Sequence, residues 1–67
     1  MKIRFVKDIL VEVQKTKIDE VWDKQYHRWD ELNVESIQRV YDFAAICTAE
    51  KDILMDVPVG AFEVIED

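Results

Sequence analysis

Apolar and polar residues alternate over the first part of the chain, as they do in strands that bury one face. The alternating apolar positions are Ile3, Phe5, Ile9, Val11 and Val13. Most of these residues are β-branched, which favours strand over helix. Residues 6–8 interrupt the alternation. The pattern therefore predicts either one long strand with a bulge or bend, or a hairpin that turns near Lys7 and Asp8.

The last third of the chain contains its only proline and its only glycine. Residues 52–57 alternate again, and Pro58 has no amide hydrogen to donate within a sheet, so we expect a strand to end there. A short turn from Pro58 to Phe62 then leads into a brief closing strand. The polar stretch 49–52 predicts a hairpin turn after a strand at residues 43–48.

Residues 17–33 carry a different pattern, because a helical wheel gathers their apolar side chains on one face. Those side chains are Ile18, Val21, Trp22, Tyr26, Trp29 and Leu32. Thr16 would cap such a helix and Asn33 would end it. Periodicity alone favours a helix here. A barrel instead requires a strand at residues 24–27 and a turn at residues 28–31.

The chain resembles small SH3-like barrel proteins found in phage and bacterial genomes, through residues 2–13, 29–37 and 52–65. In these proteins a turn of the form Val-Pro-x-x-x-Phe/Tyr-Val precedes the last short strand, much as in residues 57–64 here. The resemblance implies an all-β fold, a small SH3-like barrel of about five strands. The alternative is an α+β domain with one amphipathic helix over residues 17–33 packed on an antiparallel sheet.

Two departures from the family pattern concern function. Similar proteins tend to have Gly where this chain has Trp29, directly before Asp30. Peptide-binding SH3 domains also carry an Ala-Leu-Tyr-Asp-Tyr motif and an adjacent Trp pair, and this sequence has neither. The resemblance therefore does not imply binding of proline-rich peptides.

Size and composition predict one domain with a thin core. The chain has 67 residues, of which 49% are apolar, and domains of this size bury only about 60% of their unfolded surface. Cys47 is the only cysteine, and no apolar run reaches the roughly 20 residues that span a bilayer. We expect a cytoplasmic protein without a membrane partner. A homodimer that pairs edge strands would enlarge the core, and the sequence leaves that possibility open.

Charge is unevenly distributed along the chain, whose net charge is −6. Residues 1–28 carry seven Lys/Arg against five Asp/Glu, whereas residues 29–67 carry two against ten. Binding to phosphates depends on clustered Lys and Arg, so we expect no direct binding to nucleic acid. The acidic segment suggests one alternative function, a nucleic-acid mimic that occupies the basic groove of a DNA- or RNA-binding protein.

Reaction chemistry has few candidates in this sequence. His27 is the only histidine, and a single His makes neither a zinc site nor a nucleophilic triad. The acidic residues do not follow the ligand spacing of an EF-hand loop. We therefore expect no catalytic residue, no metal site and no cofactor.

Aromatic residues offer a stronger functional signal, because Trp and Tyr are enriched at protein interfaces. The candidate partner-binding residues are the aromatics Trp22, Tyr26, Trp29 and Tyr41 and the acids Asp23, Asp30 and Glu31. The alternative is that the aromatic side chains only fill the core. We expect a non-catalytic protein-interaction module. Its resemblance to phage-type proteins suggests an accessory protein that binds and modulates a host protein.

Overall fold

Antiparallel strands account for most of the computed structural model, which describes residues 1–15, 18 and 20–67. The strands are β1 (Lys2–Phe5), β2 (Ile9–Lys15), β3 (Val21–Tyr26), β4 (Glu31–Val40), β5 (Phe43–Thr48), β6 (Asp52–Pro58) and β7 (Phe62–Glu66). One 3-10 turn, Val59–Ala61, separates β6 from β7.

The seven strands form one sheet in the order β3-β2-β6-β5-β4-β1-β7. The sheet has two parts, one with β3, β2, β6 and β5 and the other with β1 and β7. Strand β4 connects them, because residues 31–33 pair with β1 and residues 34–40 pair with β5. The register between β4 and β5 shifts between Val34 and Ser36. A bulge of this kind bends a strand and increases its twist. The sheet therefore folds over on itself across β4 and encloses one core.

The core consists of side chains from every strand, since alternate residues of each strand point inward. Its fully buried members include Ile3, Phe5, Val13, Ile46, Leu54 and Val57. Partly buried side chains extend the core at its edges; these are Ile9, Trp22, Leu32, Ile37 and Val59.

The prediction of a small all-β domain is confirmed. The sheet folds across one shared strand and has a 3-10 turn before the last strand, and the likeness to SH3-like barrels stays a prediction. The number of strands is seven rather than about five, and residues 2–15 form two separate strands rather than one bent strand.

The α+β alternative is wrong for the described part of residues 17–33. Residues 21–26 form β3, residues 27–30 form a turn, and β4 begins at Glu31. The apolar side chains that suggested a helix face are distributed among these three elements, apart from Ile18, which precedes β3 and is exposed. Thr16, the expected cap of that helix, lies outside the described residues.

The interruption at residues 6–8 is a bend and not a hairpin turn. Strand β1 pairs with β4 and β7, whereas β2 pairs with β3 and β6. The bend carries the chain from one part of the folded sheet to the other. The other expected turns are confirmed: residues 49–51 connect β5 to β6, and β6 ends at Pro58.

Candidate protein interaction surfaces

Tyr26 lies in the core, where its side chain is 7% exposed. Its ring stacks on that of Phe5, with 4.5 Å between the centroids. Burial raises the pKa of the Tyr26 hydroxyl, and the negative charges of Asp52, Glu50 and Asp30 raise it further. Tyr26 therefore packs mainly inside the fold, and its small exposed part lines a polar pocket.

Trp22 is half-buried and packs against the edge of the core. The ammonium group of Lys15 lies 5.7 Å from the centroid of its ring. The next residue, Asp23, is exposed on β3 and pairs in register with Glu12 of β2. These two acids face the solvent at one edge of the sheet.

Tyr41 projects from the turn between β4 and β5 and is 96% exposed. Its φ of 56° lies in the left-handed region, which is uncommon for a residue with a bulky side chain. Trp29 precedes β4 and Tyr41 follows it, so the two exposed aromatic residues lie at opposite ends of that ten-residue strand. The structure therefore does not bring the four candidate aromatic residues into one patch.

Trp29 occupies the turn between β3 and β4, with 55% of its surface exposed. Its φ is 76°, a left-handed backbone conformation that glycine adopts without strain. The indole is flanked by two guanidinium groups, at 4.5 Å (Arg28) and 5.4 Å (Arg4) from the ring centroid.

Hydrogen bonds fix the turn that presents Trp29. The Trp29 amide donates to the carbonyl oxygen of Phe5 at 2.7 Å, and the Phe5 amide donates to the carbonyl oxygen of Asp30 at 2.9 Å. The Asp30 carboxylate accepts from the His27 amide at 2.7 Å. The Asp8 carboxylate accepts from the Arg28 amide, also at 2.7 Å. Asp30 therefore serves to shape the turn.

Ion pairs surround the turn on the β1 side. Glu31 lies 3.9 Å from the ammonium group of Lys2. Arg4 donates two hydrogen bonds to one carboxylate oxygen of Glu63, at 2.6 and 3.1 Å. Within the described residues, no carboxylate forms an ion pair with the Arg28 guanidinium.

Several acidic residues of the described chain are far apart along a strand or are paired with cations. Asp30 and Asp42 lie at opposite ends of β4, and three other acids pair with cations. Those three pairs are Glu35 with Lys51, Asp52 with Lys15, and Glu63 with Arg4. The hydrogen bond from Lys51 lowers the pKa of Glu35, and the same bond raises the pKa of Lys51.

A small polar pocket of about 240 Å³ lies where β3 ends and the turn between β5 and β6 begins. Its charged lining residues are Lys24, Glu31, Glu50 and Asp52. Among the described residues, no group of three or more His, Cys, Asp or Glu side chains has a geometry that could hold a metal ion.

A second surface, which the sequence analysis missed, lies on the outside of the sheet across β4, β5 and β6. We call this surface the outer face and define it by Val40, Phe43, Ala45, Cys47, Ile53 and Met55. Val40 is 57% exposed and Phe43 is 50% exposed. A shallow groove of about 420 Å³ runs along the outer face. One face of an antiparallel sheet is commonly solvated and polar, so this apolar surface is unusual.

Charged side chains border the outer face at Glu12, which pairs with Met55, and at Glu35, whose carboxylate accepts from the Cys47 thiol at 3.8 Å. Few charged side chains line the groove of the outer face itself, although 36% of the chain is charged. Its nearest polar neighbours in the groove are the amides Gln14 and Gln38. Among the described residues that line the groove, the charged one is Asp56, in a bulge of β6 with φ 51°. The unbroken apolar run of residues 43–47 was the available signal, since such runs are typical of strands covered on both faces.

Comparison with known proteins gave no match to a family model, to a curated protein or to a solved structure. The described part of the chain contains no helix of sufficient length and apolar character to cross a membrane.

Proposed function

We propose that the protein is a non-catalytic protein-interaction module and that Trp29 is its principal contact residue. The observation that carries this proposal is an exposed indole on a left-handed backbone, fixed in place by hydrogen bonds and two guanidinium groups. Trp is among the residues that most often dominate binding energy at protein interfaces.

Backbone strain at Trp29 supports a functional role. A bulky residue in the left-handed region costs roughly 1–2 kcal/mol relative to its ordinary conformations. Glycine would remove that cost, and adding a large exposed side chain does nothing for the core. Strained residues of this kind cluster at functional sites. The strain is therefore consistent with an indole retained for contact with a partner.

The flanking guanidinium groups indicate what the partner offers. Arg4 and Arg28 restrict the indole before binding, which lowers the entropy lost on association. Arg28 also projects a positive charge beside the indole. The complementary surface is an apolar pocket for Trp29 with a carboxylate at its rim. Tyr41 lacks such flanking groups among the described contacts and is almost fully exposed.

The resemblance to small phage-type proteins supports a more specific role, an accessory protein that binds and modulates a host protein. The unpaired thiol of Cys47 supports a cytoplasmic location, because free thiols are typical of reducing compartments. The nucleic-acid mimic stays a prediction. It requires acidic side chains at phosphate-like spacing on one face.

The test is affinity capture from the source cytosol with three immobilised baits: the unmodified chain, Trp29→Gly and Tyr41→Gly. Both substitutions remove an exposed aromatic side chain from a residue with positive φ, so they are matched in their effect on folding. We expect the unmodified chain and Tyr41→Gly to capture the same protein, and Trp29→Gly to lose it. Equal capture by all three baits would contradict the role of Trp29.

A further inference from the structure

The outer face carries a second inference, independent of Trp29 and of the partner proposed above. We propose that two copies of the chain pack their outer faces together about a two-fold axis that runs between β5 and β6, parallel to both strands. The proposal rests on the order of side chains across the sheet. After that rotation, apolar side chains of one copy lie opposite apolar side chains of the other, and polar side chains lie opposite polar ones.

The register of the sheet defines two rows of outward side chains. The first row, read from β2 through β6 and β5 to β4, is Gln14, Ile53, Cys47 and Ser36. The second row, read in the same direction, is Glu12 and Met55 followed by Ala45 and Gln38, and the bulge between β5 and β6 lies between these two pairs, so that Met55 and Asp56 both lie opposite Ala45. In both rows the two central members are apolar and the two outer members are polar.

Rotation about the proposed axis places each row of one copy opposite the same row of the other copy, read in the reverse direction. In the first row, Ile53 of one copy then faces Cys47 of the other, and Gln14 faces Ser36. Apolar side chains therefore meet apolar side chains, and neutral polar side chains meet neutral polar side chains. This arrangement is the aligned packing of two sheets, with the sheets about 10 Å apart.

The second row has the same property. Met55 faces Ala45 of the other copy, and Glu12 faces Gln38, whose amide donates to carboxylates. One residue pair further along, Leu10 of β2 faces Val40 of β4, and both are more than half exposed in the single chain. A second copy thus covers the exposed apolar surface, and it also brings the Asp56 carboxylates of both copies close to the axis, since Asp56 lines the groove in the bulge of β6.

The facing area is modest. Four strands spaced about 4.8 Å apart and five residues long cover roughly 19 by 17 Å, or about 320 Å² on each copy, which is below the range of stable interfaces. The dimer should therefore dissociate on dilution. Trp29 lies beside β1 in the other part of the sheet and stays exposed in both copies.

The first test is the mass in solution, measured by sedimentation equilibrium from about 10 µM to about 1 mM. We expect the mass to rise with concentration from 8.0 kDa towards twice that value. Ala45→Glu places a charge at the centre of the outer face and should weaken self-association about tenfold or more. Ala49→Glu adds the same charge at an exposed position in the turn after β5 and should leave it unchanged.

A charge exchange tests the axis itself. Gln38→Glu places a carboxylate opposite Glu12 of the other copy and should weaken the dimer. Adding Glu12→Lys should restore it. Within one chain these positions are three strand spacings apart, about 14 Å, so the rescue requires two copies. Asp56→Asn should strengthen the dimer, because it removes a charge from the groove and Asn tolerates a positive φ.

Two results would overturn the proposal. One is an unmodified chain that keeps a mass of 8.0 kDa at every concentration. If the unmodified chain stayed monomeric and Ala45→Glu abolished its capture of another protein, the outer face would be the binding surface for that protein. The other is a dimer that Ala45→Glu leaves intact. Neither result affects the role of Trp29, which Trp29→Gly tests separately.

Discussion

Phe5 stacks on Tyr26 with 4.5 Å between the ring centroids and 19° between the ring planes. Phe5 belongs to β1 and Tyr26 to β3, and these strands are far apart in the order of the sheet. Their contact joins the two parts of the folded sheet through side chains alone. Aromatic pairs of this kind contribute about 0.5–1.5 kcal/mol beyond the burial of their surface.

Replacing Tyr26 should therefore destabilise the fold far more than replacing the other tyrosine. We expect Tyr26→Ala to lower the free energy of unfolding by about 3–5 kcal/mol, since it leaves a cavity between β1 and β3. Tyr41→Ala should change it by less than about 0.5 kcal/mol. Urea denaturation followed by circular dichroism measures both. Similar losses for the two variants would refute this account of the core.

The raised pKa of Tyr26 predicts a loss of stability at alkaline pH. The folded state holds the hydroxyl proton more tightly than the unfolded state does. The resulting stabilisation is complete below the unfolded pKa of about 10 and is lost as pH rises through the folded pKa. Unfolding measured from pH 8 to pH 11 should show a steeper decline for the unmodified chain than for Tyr26→Phe. Parallel declines would argue against the shift.

Substitution by glycine should have opposite effects on stability at the two tryptophans. Trp29→Gly relieves a backbone conformation with φ 76°, so we expect stability to be unchanged or to rise by up to about 1 kcal/mol. Trp22→Gly removes a half-buried ring from a strand and should lower it by more than about 1 kcal/mol. Thermal unfolding compares the two variants. A marked loss for Trp29→Gly would show that its side chain supports the fold.

Thr48 is a buried polar residue, and its hydroxyl oxygen accepts a hydrogen bond from the Asp52 amide at 3.1 Å. This bond secures the turn between β5 and β6. Thr48→Val keeps the shape of the side chain but removes the acceptor, which should cost about 1–3 kcal/mol. Thr48→Ser retains the hydroxyl and serves as the control. Amide hydrogen exchange at Asp52 should accelerate only in the valine variant.

The strands at both ends of the chain could be predicted because each alternates clearly and ends at a recognisable breaker, such as Pro58. Periodicity alone did not predict the strand at residues 21–26, which only the barrel interpretation required, because β3 is an edge strand with polar side chains on both faces. Lys24 shows why: it points to the same side as Tyr26, and its ammonium group lies 5.2 Å from that ring. The long aliphatic stem of Lys covers apolar surface while its charge stays near water.

The two surfaces differ in how far the sequence revealed them. Trp29 was identified as a candidate, but its left-handed backbone depends on the turn that the fold imposes. The outer face depends on register. Ala45, Cys47 and Met55 come together only after β5 and β6 pair, and periodicity along a single strand does not reveal which side chains meet across a sheet.

The most direct test of the central claim is a calorimetric titration of the captured partner, once purified, into three chains. These are the unmodified protein, Trp29→Gly and Tyr41→Gly, with the melting temperature of each preparation recorded. We expect Trp29→Gly to weaken binding by about 30-fold or more, as the loss of a dominant interface residue does, without a lower melting temperature. Tyr41→Gly should bind like the unmodified protein. Unchanged affinity in Trp29→Gly would contradict the claim that Trp29 is the principal contact.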